Sequence, residues 1–306
     1  NSAKTTRLIP FEFNTTQTYV LELGHLTMRI IKDGGLISLA ANPPAYAGSR
    51  SYDITETDSS DVNYPFVRHS NVNYILISGT GLNVTPGSNA AIWHPLTGLI
   101  IEIPTPYTDS QLQDVNFTQS ADIMTLCHPS HPVQELKRYS HYAWDLVAVS
   151  FGTDMTAPGS VASTRQEYDS SLTETSYSYV VTSVKTETGD ESIASTATSI
   201  SNNNLSNTVT NTITWGAVTG ADSYNVYKSR GGIFGFVGRA TGTTFKDDNI
   251  ESDSNDSPAI ARTLFNTTGE YPATVNYYQQ RLVFGQTTND PQKIYMSQTG
   301  NYHNFN

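Results

Sequence analysis

Cysteine is nearly absent: Cys127 is the only one in 306 residues, so no disulfide can close within the chain and no cysteine zinc cluster exists. Charge is sparse too, at 15% of residues, and cations are the scarcer sign, with 17 Lys and Arg against 28 Asp and Glu and a formal net charge of −11. Tight binding to a phosphate backbone depends on cationic side chains that displace counterions, so this balance argues against sequence-specific nucleic-acid recognition. A wall past which nucleic acid slides without sticking remains compatible with it. No apolar run reaches the roughly 18 residues that span a bilayer; the longest surrounds Leu99-Ile-Ile101. The N-terminus lacks the apolar core of a signal peptide, and no Gly-x-Ser-x-Gly elbow is present.

What the chain does contain suits β-sheet. Hydrophobic residues make up 37% and Thr, Ser and Asn abound, as expected for short strands with one wet face and polar turns. Around Trp215, Ile213 and Trp215 alternate with Thr212 and Thr214, the period of a half-buried strand. After the turn Val218-Thr-Gly-Ala221, Tyr224, Val226 and Lys228 share one face of a second strand, and Asn225 and Tyr227 the other. This stretch resembles a fibronectin type III module. Tyr177 to Val184 and Glu191 to Ser195 resemble the last two strands of such a module, yet they precede Trp215. The expected module is therefore cyclically permuted, an arrangement suited to insertion into a host sheet.

The rest of the chain shows internal similarity. Asp114-Val-Asn-Phe-Thr-Gln119 and Thr274-Val-Asn-Tyr-Tyr-Gln279 are each followed by an apolar strand, a Pro-containing turn, a further strand and an aromatic cluster, Tyr139 to Trp144 or Tyr302 to Phe305. A looser copy runs from Pro10 through Tyr19 to Leu23 and Met28 to Ile31, ending at the turn Lys32-Asp-Gly-Gly35. Units of three or four strands cannot bury their own faces and need neighbours. The expected fold is all-β: blade-like antiparallel sheets, as in a partial β-propeller, with an inserted, permuted fibronectin III-like sandwich. The expected domains are 1–155, blade-like with an insertion at about 42–104; 156–263, the sandwich; and 264–306, strands returning to the first domain. The opening Arg7-Leu-Ile9 leads straight into a strand and reads as part of something longer.

Several motifs in one order carry a family resemblance: Arg7 to Phe13, Gln17 to Leu23, Arg29 to Gly35, Thr105-Pro-Tyr-Thr108, Gln119-Ser-Ala-Asp122, His128-Pro129, Leu136-Lys-Arg138, Ala261-Arg262, Tyr271-Pro272, Tyr278 to Gly285, Pro291-Gln292 and Thr299-Gly-Asn301. With these the chain resembles the tail tubular protein B, or nozzle, family of short-tailed bacteriophages. The resemblance implies a non-enzymatic virion structural protein, assembled in the host cytoplasm. It further implies six copies in a ring, a tail adaptor above, fibres or spikes at the side, and DNA passing during ejection without specific binding or membrane insertion. The alternative is a phage or cell-surface module binding carbohydrate or a receptor; a depolymerase would further require an acidic pair in a groove.

Four features hold residue types that bear on chemistry. His128-Pro-Ser-His131, with Cys127 beside it and His141 later, is the one cluster of metal-capable side chains, but it lacks spaced third and fourth ligands and reads as a turn. The acidic tract Asp247 to Asp256 lacks a calcium loop's glycine, has Arg262 where the bidentate Glu belongs, and reads as a solvated linker. Gly79-Thr-Gly81 lacks a third glycine and reads as a hairpin turn, and Gly231-Gly232, Gly235 and Gly238 read as turns and a sheet edge. The 18 tyrosines read as packing groups more than as a saccharide platform. The sequons at Asn14 and Asn83 carry weight only in a eukaryotic secretory setting. No catalytic, cofactor-binding or metal-ligating residue is assigned.

Overall fold

The computed structural model describes residues 5–14, 17–61, 63–153, 155–259 and 264–305. Within these residues the chain is all-β, with antiparallel ladders in six sheets and one 3₁₀ turn at Leu112–Asp114. The motif Ala261-Arg262 and the sequon residues Thr15 and Thr16 lie outside the described residues. The chain divides into two compact units, residues 1–150 with 265–299 and residues 151–264 with 300–306.

The first unit opens with a meander: β1 (Arg7–Asn14), β2 (Gln17–Gly24), β3 (Thr27–Lys32) and β4 (Gly35–Leu36) pair in chain order. Asp33 and Gly34 both have positive φ, 50° and 80°, which gives the β3–β4 hairpin the primed turn that matches strand twist. Next come β5 (Phe66–His69), β6 (Val72–Leu76) and β7 (Trp93–Pro95), which form a separate three-stranded sheet. β8 (Glu102–Pro104) then pairs with β3. A second meander follows in order: β9 (Asn116–Ser120), β10 (Ile123–His128), β11 (His131–Arg138) and β12 (Trp144–Ala148).

These two meanders share one core. Ile9, Phe11, Leu21 and Ile30 of the first pack with Met124, Leu126, Leu136 and Trp144 of the second. The Trp144 indole meets Phe11 edge-on at 4.9 Å and Tyr19 at 5.2 Å between ring centroids. Such pairs add about 0.5–1.5 kcal/mol each beyond burial. The segment 42–104, expected as an insertion, is partly integral: Tyr64, Phe66, Ile75, Leu96, Ile101 and Ile103 belong to this core. Only Tyr52, Val67, Leu76 and Trp93 form a satellite cluster. The hydrophobic pattern hid this because β8 is three residues long and finds its partner from far along the chain.

The second unit holds β13 (Ala162–Gln166), β14 (Thr175–Lys185), β15 (Asp190–Glu191), β16 (Thr198–Asn202), β17 (Thr210–Thr214), β18 (Ser223–Arg230), β19 (Ile233–Ala240) and β20 (Thr244–Asp247). One sheet runs β13-β17-β20; the other runs β15-β14-β18-β19, with β16 also on β14. Tyr179, Val181, Tyr224 and Val226 of the larger sheet pack with Ile213 of the smaller and with Trp215, so the two sheets close over one core. The turn at Val218–Ala221 therefore carries the chain from one sheet to the other. Gly231 and Gly232, φ 61° and 88°, make the β18–β19 hairpin. Gly235 and Gly238 are fixed by contact: a Cβ at Gly238 would stand 2.6 Å from the Phe245 ring.

The chain returns to the first unit as β21 (Thr274–Tyr278), β22 (Arg281–Gly285) and β23 (Ile294–Met296), paired in order. Asn116 Nδ2 donates to Ala273 O at 2.7 Å, which fixes this sheet beside β9. The aromatic stretch Tyr302 to Phe305, expected to end the repeat that starts at Thr274, belongs instead to the second unit. There Gly152 N donates to His303 O at 2.9 Å, Phe305 packs on Phe151, and Asn304 Nδ2 donates to Asp190 at 2.6 Å.

Candidate functional site

The histidine pair lies where β10 turns into β11. His128 Nδ1 accepts the Ser130 backbone N–H at 3.0 Å, so the proton of the neutral ring belongs on Nε2, which is buried without a partner. His131 Nε2 approaches Gln111 Oε1 at 3.0 Å; that oxygen also accepts the N–H and hydroxyl of Thr108, which assigns the His131 proton to Nε2 as well. With Nδ1 committed and Nε2 protonated, His128 offers no lone pair to a metal. Burial holds both imidazoles below the ordinary histidine value; at His128 the charge of His131 adds to this and Asp114 opposes it. Burial also raises the Tyr107 phenol, 5.9 Å from His128 between ring centroids, and pushes the Cys127 thiol up to about 12, which makes it an inert packing group. His141 stands elsewhere, against Tyr19 and Tyr142. Among the described residues no group of three His, Cys, Asp or Glu side chains is arranged to hold a metal ion.

A groove of about 340 Å³ lies on the outer face of the first sheet, lined by Thr6, Glu22, Gly24, His25, Thr27, Arg29 and Glu102. The ladder places Glu22 opposite Arg29 and Arg29 opposite Glu102. Arg29 Nε and Nη2 both donate to Glu102 Oε2 at 3.3 Å, and Thr97 Oγ1 adds a third donor at 3.2 Å. His25 Nδ1 lies 3.3 Å from Asp109 Oδ1. Arg29, Glu102 and His25 are thus engaged with neighbouring groups, and among the described residues Glu22 is the lining charge outside these pairs.

On the outer face of the larger sandwich sheet, Glu191 Oε1 accepts from Tyr227 OH at 2.7 Å, from Asn225 Nδ2 at 3.1 Å and from Thr182 Oγ1. Arg239 Nε holds Asn225 Oδ1 at 2.9 Å. Asp256 is raised by burial first, then by the charges of Glu191 and Asp253. Sequence reasoning missed this cluster; the alternation of Asn225 and Tyr227 opposite the core face was the available signal. The tract Asp247 to Asp256 is largely exposed, as expected of a solvated linker, but it is anchored at two points. Asp247 is fully buried and Asp253 bridges to Phe236 through backbone hydrogen bonds at 2.9 and 3.1 Å, because a cation waits for Asp247 inside the sandwich. Lys228 Nζ is that cation, 2.9 Å from Asp247 Oδ2. Gly79 and Gly81, φ 66° and 60°, lie in the long connection between β6 and β7, with Gly81 against the Trp93 indole.

The motif residues are engaged as joints. Arg7 Nη1 donates to the carbonyls of Leu112 at 2.8 Å and Val115 at 2.6 Å, clamping the 3₁₀ turn. Gln119 exchanges two hydrogen bonds with the Glu12 backbone on β1. Arg138 Nε donates to Asp122 Oδ1 at 2.9 Å and its guanidinium lies 3.9 Å over the Phe13 ring. Each of these ties the first meander to the second or braces a turn between strands. No protein-family sequence model matches the chain, and no curated protein sequence matches it significantly. No helix among the described residues is long and apolar enough to cross a membrane.

Proposed function

We propose that this chain is a structural protein of a short-tailed bacteriophage, part of the tail tube or nozzle that conducts DNA during ejection, and that its task is geometric and non-enzymatic. The observation that carries this reading is the use of Arg7, Gln119 and Arg138, motif residues behind the family resemblance, as joints from β1 to the second meander or to the turn before it, with Asp122 holding Arg138 in place. A rigid wall needs such joints, whereas an active site would turn these side chains towards a cavity. The meanders β1–β4 and β9–β12 and the sheet β21–β23 support a series of blade-like units. The pairing of β14 with β18, and of β17 with β20 in the opposite sheet, supports a permuted fibronectin III-like sandwich. In this reading six copies form the ring, the tail adaptor and fibre or spike proteins are its neighbours, and the net charge of −11 lets DNA phosphates pass without adhering.

Binding of carbohydrate or a receptor has weaker support, because Tyr19, Tyr107, Tyr179, Tyr224 and Trp144 are buried in cores. Gold-labelled antibodies against the purified chain provide the test on intact virions. Labelling confined to the tail of short-tailed particles is expected. Labelling of the capsid, or none on particles whose mass spectrum lacks the chain, rejects the reading.

A further inference from the structure

Two outer faces of the first unit carry apolar side chains in complementary settings. In the sheet β21–β23, alternate residues point away from the core: Tyr278 is 59% exposed, Ile294 70% and Met296 44%. Register places Val283 opposite Met296 and Gly285 opposite Ile294, so these side chains form one flat patch whose charged member is Arg281, with Nη1 on Ser297 O at 2.6 Å. On the outer face of the first sheet, register aligns Pro10, Val20, Ile31 and Leu36 in a single row across four strands. Leu8, 62% exposed, stands beside that row. The row is flanked by Glu12 and Glu22, and neither carboxylate takes part in an ion pair among the described residues; Arg29, opposite Glu22, is taken up by Glu102, which leaves this face with an excess of negative charge.

We propose that these two faces bind each other between copies of this chain, the sheet β21–β23 of one copy resting on the β1–β4 face of the next; the biological meaning of this contact rests on the tube reading above. The occupant follows from charge. Pairing either face with itself would set Arg281 against Arg281, or Glu12 and Glu22 against the same two residues, and like charges across an interface suppress that pairing. The opposite combination brings Arg281 to the two glutamates while the apolar rows meet. Because the two faces differ, the contact is heterologous: copies add head to tail, giving a ring if the rotation closes and a filament if it does not.

The test uses the full chain in two singly substituted forms, Leu8→Cys and Ile294→Cys; the native Cys127 is buried. Under mild oxidation the mixture is expected to give the mixed disulfide dimer much faster than either variant gives its own dimer. In light scattering, Ile294→Asp weakens self-association by about ten-fold, the equivalent of one lost apolar anchor. Arg281→Glu also weakens it, and pairing Arg281→Glu with a copy carrying Glu12→Lys and Glu22→Lys restores it. Circular dichroism confirms that each variant is folded. A mixture that cross-links no faster than its components, or an association indifferent to the charge exchange, overturns the proposal. Self-association through these faces by a protein absent from virions would instead reject only the tail assignment.

Discussion

Gln119 lays its carboxamide along the backbone of Glu12: Nε2 donates to Glu12 O at 3.0 Å and Oε1 accepts from Glu12 N at 3.1 Å. One side chain thereby imitates a neighbouring strand and completes the edge of β1 from β9. Free strand edges invite unwanted pairing, so the amide both joins two meanders and closes an edge. Gln119→Ala is expected to lower the stability of the first unit by about 1–2 kcal/mol, the usual yield of two partly exposed hydrogen bonds. Amide exchange at Glu12 should accelerate in parallel, and an unchanged exchange rate there would refute the role.

The Lys228–Asp247 pair crosses the interior of the sandwich. Asp247 Oδ2 also accepts from Tyr179 OH at 2.7 Å, and Asn211 Nδ2 donates to that hydroxyl at 3.0 Å. Removing the cation alone strands a buried carboxylate, so Lys228→Met should cost about 3 kcal/mol or more. Asp247→Asn in the same chain should recover much of that loss, since the remaining amide needs no counter-charge. Trp215, the one tryptophan of the second unit, reports the transition by fluorescence during denaturant unfolding. A double variant no more stable than Lys228→Met contradicts the argument.

The first unit should lose stability as solution is acidified through the ordinary histidine range. Burial holds His128 and His131 below the ordinary histidine value of about 6.5 in the folded chain, so the unfolded chain takes up protons first. Their contribution is complete above about 6.5 and falls as pH drops towards the folded values, at about 1.4 kcal/mol per pH unit for each proton taken up. His94 and His141, also lowered by burial, act in the same direction. His128→Asn should flatten the slope of unfolding midpoint against pH; an unaltered slope would show that this ring does not titrate in that range.

Gly238 and Gly242 offer a paired test of packing. A Cβ at Gly238 would meet the Phe245 ring at 2.6 Å, whereas at Gly242 nothing lies within 4 Å. Gly238→Ala is expected to destabilise the second unit by about 1–3 kcal/mol, and Gly242→Ala to leave it within about 0.5 kcal/mol. Equal effects in thermal unfolding would contradict the assigned contact.

Strand periodicity and turn chemistry made much of the fold legible. Alternation at Ile213 and Trp215, and Asp33-Gly34 or Gly231-Gly232 between apolar runs, mark strands and hairpins without knowledge of distant partners. What escaped depends on partners far along the chain. Asp247 sits among acidic and polar residues and looks solvated until Lys228 is placed opposite it. Glu102 looks like part of an insertion until β3 presents Arg29. At the candidate sites, the spacing of His128 and His131 could not reveal that the Ser130 N–H occupies Nδ1, which is the fact that disqualifies the ring as a ligand. Gln119 gave no periodic signal, because a side chain that hydrogen-bonds to backbone leaves no pattern in its own strand.

The chain passes from one unit to the other three times, near residues 150, 264 and 299, and its last turn is pinned by Asn304 on Asp190 and Phe305 on Phe151. A single proteolytic nick near residue 150 or 264 therefore liberates neither unit, because a covalent thread still runs through another passage. Such stitching gives the chain a tolerance for cleavage that a simple tandem of two domains would lack.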